Sequence, residues 1–140
     1  MSESLLDSTT YRAIRVFAAQ KIRMATVYQE YGLHMGQEFM LAQLWREDGL
    51  TQSQLAERLR VSAPAITKVV RSLERGGLVR RAPDESDGRV VRVQLTERGR
   101  ALEAPITAAW YAVEAELFAE LTPKQRDALR HLAAVSPASG

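Results

Sequence analysis

Apolar side chains recur at helical spacing near both ends of the chain, and the pattern changes twice in between. From about Thr9 to Tyr31, the residues Tyr11, Ile14, Phe17, Met24, Val27, Tyr28 and Tyr31 predict one long amphipathic helix without proline or glycine. Thr51-Gln52-Ser53-Gln54 has the pattern of a capping box and predicts a helix start, with Leu55, Ala56 and Leu59 on its buried face. The short Arg60-Val61 link leads to Ser62, a second good N-cap. Ile66, Val69, Val70 and Leu73 then define the core stripe of another helix, which Gly76-Gly77 ends. Leu78–Ala82 and Val90–Leu95 have strand composition, and Pro83–Gly88 between them has turn composition. From Thr96 a long helix is predicted to about Ala119, bent by Pro105. Thr122-Pro123-Lys124-Gln125 opens a last helix that carries Leu129, Leu132 and Ala133.

Two short helices, a tight turn and a basic hairpin in this order predict a winged helix-turn-helix inside a mainly α (α+β) chain, and make double-stranded DNA the leading partner. The core stripe of the second helix leaves Pro64, Thr67, Lys68 and Arg71 on its polar side. This helix is expected to enter the major groove. There Thr67, Lys68 and Arg71 reach bases or phosphates, and Pro64 packs on a thymine methyl or a sugar edge. The small Ala63, Pro64 and Ala65 let the helix N-terminus approach a phosphate or base edge closely. Thr51, Gln52 and Ser62 are candidate phosphate anchors, although Thr51 and Ser62 would serve as helix caps in any case. Arg89 follows Asp87 by two residues, so the carboxylate can hold the guanidinium extended, in a pose that a narrow minor groove accepts.

Charge sharpens this picture. The net charge is only +2, yet residues 60–100 hold ten Lys or Arg against five Asp or Glu, which concentrates the positive charge on the expected reading head. The absence of cysteine excludes disulfides, thiolate metal sites and thiol redox switching. With two histidines, His34 and His131, no phosphate loop and no clustered metal-ligand spacing, neither an enzyme nor a cofactor or metal site is expected. No apolar run is long enough to span a membrane and no secretory leader is evident, so a soluble cytoplasmic protein is expected.

Several segments also carry a family resemblance. They are Gln54-Leu55-Ala56, the Ser62–Leu73 helix, the run Leu73-Glu74-Arg75-Gly76-Gly77-Leu78-Val79-Arg80, and above all the run from Asp87-Gly88-Arg89 through Leu95-Thr96-Glu97-Arg98-Gly99. Together they resemble the multiple-antibiotic-resistance regulator (MarR) family of bacterial transcription factors. Leu33–Leu44 and Leu121–Arg126 are similar to flanking helices of that family, so the resemblance covers nearly the whole chain. It implies that Arg89 enters the minor groove and that the terminal helices form an all-helical dimerisation region.

The domain scheme that follows has an N-terminal dimerisation helix at 1–34, the winged domain at 35–98, C-terminal dimerisation helices at 99–135 and a disordered tail at 136–140. Function is then expected to be repression of a pseudo-palindromic operator by a homodimer, relieved by a small aromatic or phenolic effector. For such an effector the resemblance points to Tyr11, Arg15, Phe39 and Trp110. The alternative is a ligand-independent winged-helix module that binds DNA or another protein.

Overall fold

A computed structural model describes residues 3–134 of the chain, and the expected tail at 136–140 lies outside the described residues. A 3-10 turn, Leu5–Asp7, precedes α1 (Thr9–Glu30), the long helix that the apolar spacing predicts. After α2 (Gln37–Arg46) come β1 (Leu50–Thr51), α3 (Gln52–Leu59), α4 (Ala63–Arg75), β2 (Val79–Pro83) and β3 (Val91–Leu95), and then α5 (Glu97–Ala101), α6 (Glu103–Leu117) and α7 (Pro123–Ala134).

The contacts divide the chain into two units. One comprises Met1–Met24 with Trp110–Gly140, and the other Ala25–Ala109. The second holds the winged helix-turn-helix. Its core joins Met40, Leu41 and Leu44 of α2, Leu55 of α3, Ile66, Val70 and Leu73 of α4, and Val79, Val93 and Leu95 of the sheet. The strands are antiparallel in the order β1-β3-β2, with Leu50 opposite Val93 and Arg81 opposite Val93 on the other side. In the first unit, an ion pair between Arg23 and Glu116 links α1 to α6, and Met24 is the one buried hydrophobic residue among those described. Leu5, Leu6, Ile14, Phe17, Ile22, Tyr111 and Leu129 are exposed there.

Local chemistry accounts for the boundaries. The α4 helix ends in a Schellman motif: Leu78 N donates to Leu73 O at 3.0 Å and Gly77 N to Glu74 O at 3.0 Å, with Gly77 at φ 74°. One expectation needs correction. The single helix foreseen from Thr96 to Ala119 is two helices that part at Leu102. Pro105 is the third residue of α6; it has no N–H to give the Ala101 carbonyl and its ring crowds that carbonyl, so the chain breaks where a bend was expected. The β1 strand was not foreseen. At two residues it is too short for any alternation, and its pairing with Val93 and Arg92 alone defines it.

Candidate nucleic-acid interface

The helix-turn-helix is fixed at both starts by side-chain caps. Thr51 Oγ1 accepts from Gln54 N at 3.1 Å while Gln54 Oε1 accepts from Thr51 N at 2.9 Å, which completes the capping box at α3. The Ser62 hydroxyl accepts from Ala65 N at 3.3 Å and starts α4. Both hydroxyls therefore do the capping work and still carry a proton that can be donated outward. Between the helices, Arg60 turns the chain in the left-handed conformation, φ 56° and ψ 46°.

One face of α4 is turned away from the core. Ala63, Pro64, Thr67, Lys68, Arg71 and Arg75 line an open depression of about 590 Å³. The Thr67 hydroxyl lies 3.0 Å from the Ala63 carbonyl and 3.1 Å from Gln52 Oε1, and its single proton can serve either acceptor. Gln52 thus ties the start of α3 to α4. The sequence reading named all of these positions except Arg75, which its spacing of four residues from Arg71 would have revealed.

At the wing, Arg89 is held by Asp87. The carboxylate accepts from the Arg89 backbone N–H at 3.1 Å, from Nε at 3.1 Å and from Nη2 at 3.4 Å, while the Arg89 side chain stays 92% exposed. The Arg89 guanidinium holds the Asp87 carboxyl below the usual carboxylate range. Asp84 is held lower still, first by Arg92 and then by Ser86 and the Asp87 amide.

The effector candidates are distributed between the units: Tyr11, Arg15 and Trp110 belong to the first and Phe39 to the second. Arg15 Nη1 donates to the Tyr11 hydroxyl at 3.4 Å, one turn along α1. In the second unit, Glu38 is a carboxylate only 5% exposed, beside the buried Tyr28 phenol. Burial, and then the close approach and charge of the Glu38 carboxylate, push that phenol far above its ordinary pKa, although neither the Tyr28 hydroxyl nor Glu38 Oε1 completes a hydrogen bond of ordinary geometry. Among the described residues no group of acidic, histidine and cysteine side chains could hold a metal ion, and no helix is long and apolar enough to cross a membrane.

Known proteins share this architecture. The MarR family model matches residues 33–91, from the approach to α2 to the first residue of β3. The HTH-type transcriptional repressor Rv2887 of Mycobacterium tuberculosis is 34% identical over 123 residues, covering 87% of this chain and 88% of the repressor. The chain belongs to the MarR family. Two crystal structures of the M. tuberculosis MarR-family protein Rv2887 superpose on it. The complex with DNA gives a TM-score of 0.70 at 31% identity, covering 92% of this chain and 98% of that one. The complex with salicylic acid gives 0.69 at 32% identity, covering 94% and 100%. A probable transcriptional regulator from Pseudomonas aeruginosa gives a TM-score of 0.81 at 27% identity, covering 94% and 98%. The MarR relatives are transcription regulators rather than enzymes, and the winged helix-turn-helix is the MarR fold.

Proposed function

We propose that this MarR-family regulator binds double-stranded DNA as a homodimer and represses transcription from a pseudo-palindromic operator. The observation that carries the reading is the outward face of α4, where Pro64, Lys68, Arg71 and Arg75 stand exposed around a Thr67 anchored by Gln52. In the major groove, Arg71 presents a planar fork to guanine, Lys68 and Arg75 offer point and fork charges to phosphate, and Ala63 and Pro64 allow close approach. Thr51, Gln52 and Ser62 anchor backbone phosphates at the two helix starts. Arg89, braced by Asp87, enters the flanking minor groove. The DNA complex of the M. tuberculosis relative supports this reading.

Dimerisation follows from the first unit. Ile14, Phe17, Ile22 and Tyr111 are exposed on a unit with little core of its own, and a second copy of the same helices would cover them. A small aromatic or phenolic acid relieves repression in this reading. The Tyr11–Arg15 pair is the candidate partner for its carboxylate, and Phe39 and Trp110 are the aromatic candidates, each within its own unit. The salicylic acid complex of the same relative supports the ligand class.

The test is selection of duplexes from a randomised library, followed by footprinting and a salt series on the selected sequence. Two-fold-symmetric protection, with half-site centres about one helical turn (~34 Å) apart, is the expected result. Equal weak binding to the selected and a scrambled duplex would overturn the reading. Salicylate and other phenolic acids are then added to the complex. If none changes DNA affinity or thermal stability, the ligand-relieved part falls and a ligand-independent repressor remains.

A further inference from the structure

We propose that Arg92, together with Asp84, is a positioning residue for DNA reading: it clamps the wing turn to the loop in front of the helix-turn-helix and so fixes where Arg89 stands relative to α4. The inference rests on the DNA-binding reading above. Arg92 lies on β3, opposite Thr51 on one side and Ala82 on the other. Its Nε donates to Asp84 Oδ1 at 2.6 Å and its Nη1 to the Gly49 carbonyl at 2.9 Å. A planar guanidinium can make both bonds at fixed angles, which a neutral amide or a flexible ammonium cannot reproduce.

Asp84 passes the constraint along. Its side chain is 16% exposed, and its Oδ2 accepts from Ser86 N at 3.0 Å, Ser86 Oγ at 2.7 Å and Asp87 N at 3.0 Å. Asp87 in turn holds both the backbone and the guanidinium of Arg89. A continuous polar chain therefore runs from Gly49 through Arg92, Asp84 and Asp87 to Arg89. At its inner end, Asp48 Oδ1 accepts from Gly49 N and from Leu95 N, each at 2.9 Å, and two residues beyond Gly49 the Thr51 hydroxyl caps α3.

The ladder ties β3 to β1 at Val93 and Arg92 but stops short of the wing turn. Pairing of β2 with β3 ends at Pro83 and Val91. Beyond it, the backbone bonds Asp84 N to Val90 O at 2.7 Å and Val90 N to Asp87 O at 3.0 Å shape the turn without reaching outside it. The bond from Arg92 to the Gly49 carbonyl does reach outside. Nε and Nη1 are both spent on the protein, so the inference has Arg92 act through Arg89, and a direct DNA contact by the same side chain would predict a different outcome.

The experiment is a double-mutant cycle on the selected duplex, with a second duplex whose flanking A·T pairs are changed to G·C. The wild type is expected to prefer the A·T flank, and Arg89→Ala to weaken binding and remove that preference. Arg92→Gln is expected to weaken binding about fivefold and to shrink the flank preference, while base preferences under α4 stay unchanged. Added to Arg89→Ala, it should cost less than about twofold more, because the residue it positions is gone. Asp84→Asn, which keeps one acceptor oxygen for the turn and leaves the Arg92 charge in place, should follow the same pattern and decides the matter if Arg92→Gln fails to fold.

Full additivity with Arg89→Ala, or a uniform loss on both duplexes with one fewer counterion in the salt slope, would make Arg92 a phosphate contact and overturn the inference. An unaltered affinity in both variants overturns it as well. If Arg89→Ala itself changes neither affinity nor flank preference, the wing reading has failed, which is a separate and recognisable outcome.

Discussion

The indole N–H of Trp45 donates to the Gly99 carbonyl at 2.9 Å, joining α2 to α5, the helix that follows β3. The same glycine has no room for a side chain. A Cβ there would stand 2.1 Å from the Leu78 carbonyl oxygen, and Leu78 is fixed by the Schellman bond that closes α4. Because the obstacle is backbone rather than a flexible side chain, Gly99→Ala is expected to destabilise the protein by about 2–3 kcal/mol. Denaturant titration measures this directly, and a change below about 0.5 kcal/mol would mean that α5 shifts freely, against the packing described.

Arg71 and Lys68 share one face of α4 but should fail in different ways. Arg71→Lys keeps the charge and loses the fork, so discrimination at one base pair should fall by about 1–3 kcal/mol with little change in salt dependence. Lys68→Ala should weaken binding to all sequences alike and lower the salt slope by about one. Anisotropy titrations against single-base-pair variants at several salt concentrations separate the two patterns. If Arg71→Lys weakens every duplex equally, Arg71 is a phosphate contact and guanine reading belongs elsewhere.

What could be read in the sequence was the chemistry that acts over a few residues. Thr51 with Gln54, Ser62 with Ala65, and Asp87 with Arg89 each lie two or three positions apart, and the structure forms each of these contacts. The α4 stripe was legible because Ile66, Val70 and Leu73 keep one face of a helix buried. Long-range partners were not legible. The Arg92 contact with Gly49 spans 43 residues and ends on a backbone carbonyl, which no residue type announces. The two-residue β1 depends on Val93 in the same way, and Glu38, polar in any pattern, is buried by the fold around α2. In α5 and α6 the proline was visible, but whether the helix would bend or break depended on the crowded Ala101 carbonyl.

The wing should loosen in acid. Asp84 and Asp87 are both more acidic in the folded chain than an ordinary carboxylate, through Arg92 and Arg89 respectively. The folded state therefore binds fewer protons than the unfolded one in mild acid, and the stability these pairs add is complete above an unfolded pKa near 4. It is lost as the pH falls through the lowered folded values. Amide exchange at Ser86, Asp87 and Arg89 should accordingly stay slow and level from about pH 7 to pH 5, after allowance for intrinsic rates, and protection should fall progressively below about pH 4. An opening of the wing near pH 6 would contradict the depressed carboxylates and implicate a different group.

Arg60 is the non-glycine residue with positive φ among those described, and it sits at the turn that sets α3 against α4. Its conformation is enforced by the bonds around it: Val61 N reaches back to Ala56 O at 3.1 Å, and Arg60 N bonds Glu57 O at 3.3 Å. A side chain held there costs about 1–2 kcal/mol in crowding between Cβ and the carbonyl oxygen, while glycine returns part of that through the greater freedom of its unfolded chain. The difference leaves Arg60→Gly more stable by about 0.5–1 kcal/mol. Arg60→Ala keeps the Cβ and removes the charge, so it should gain nothing. If the alanine variant is stabilised as much as the glycine one, the benefit comes from relieving the cluster of positive charge on this face rather than from the backbone, and the left-handed turn is not where the domain stores strain.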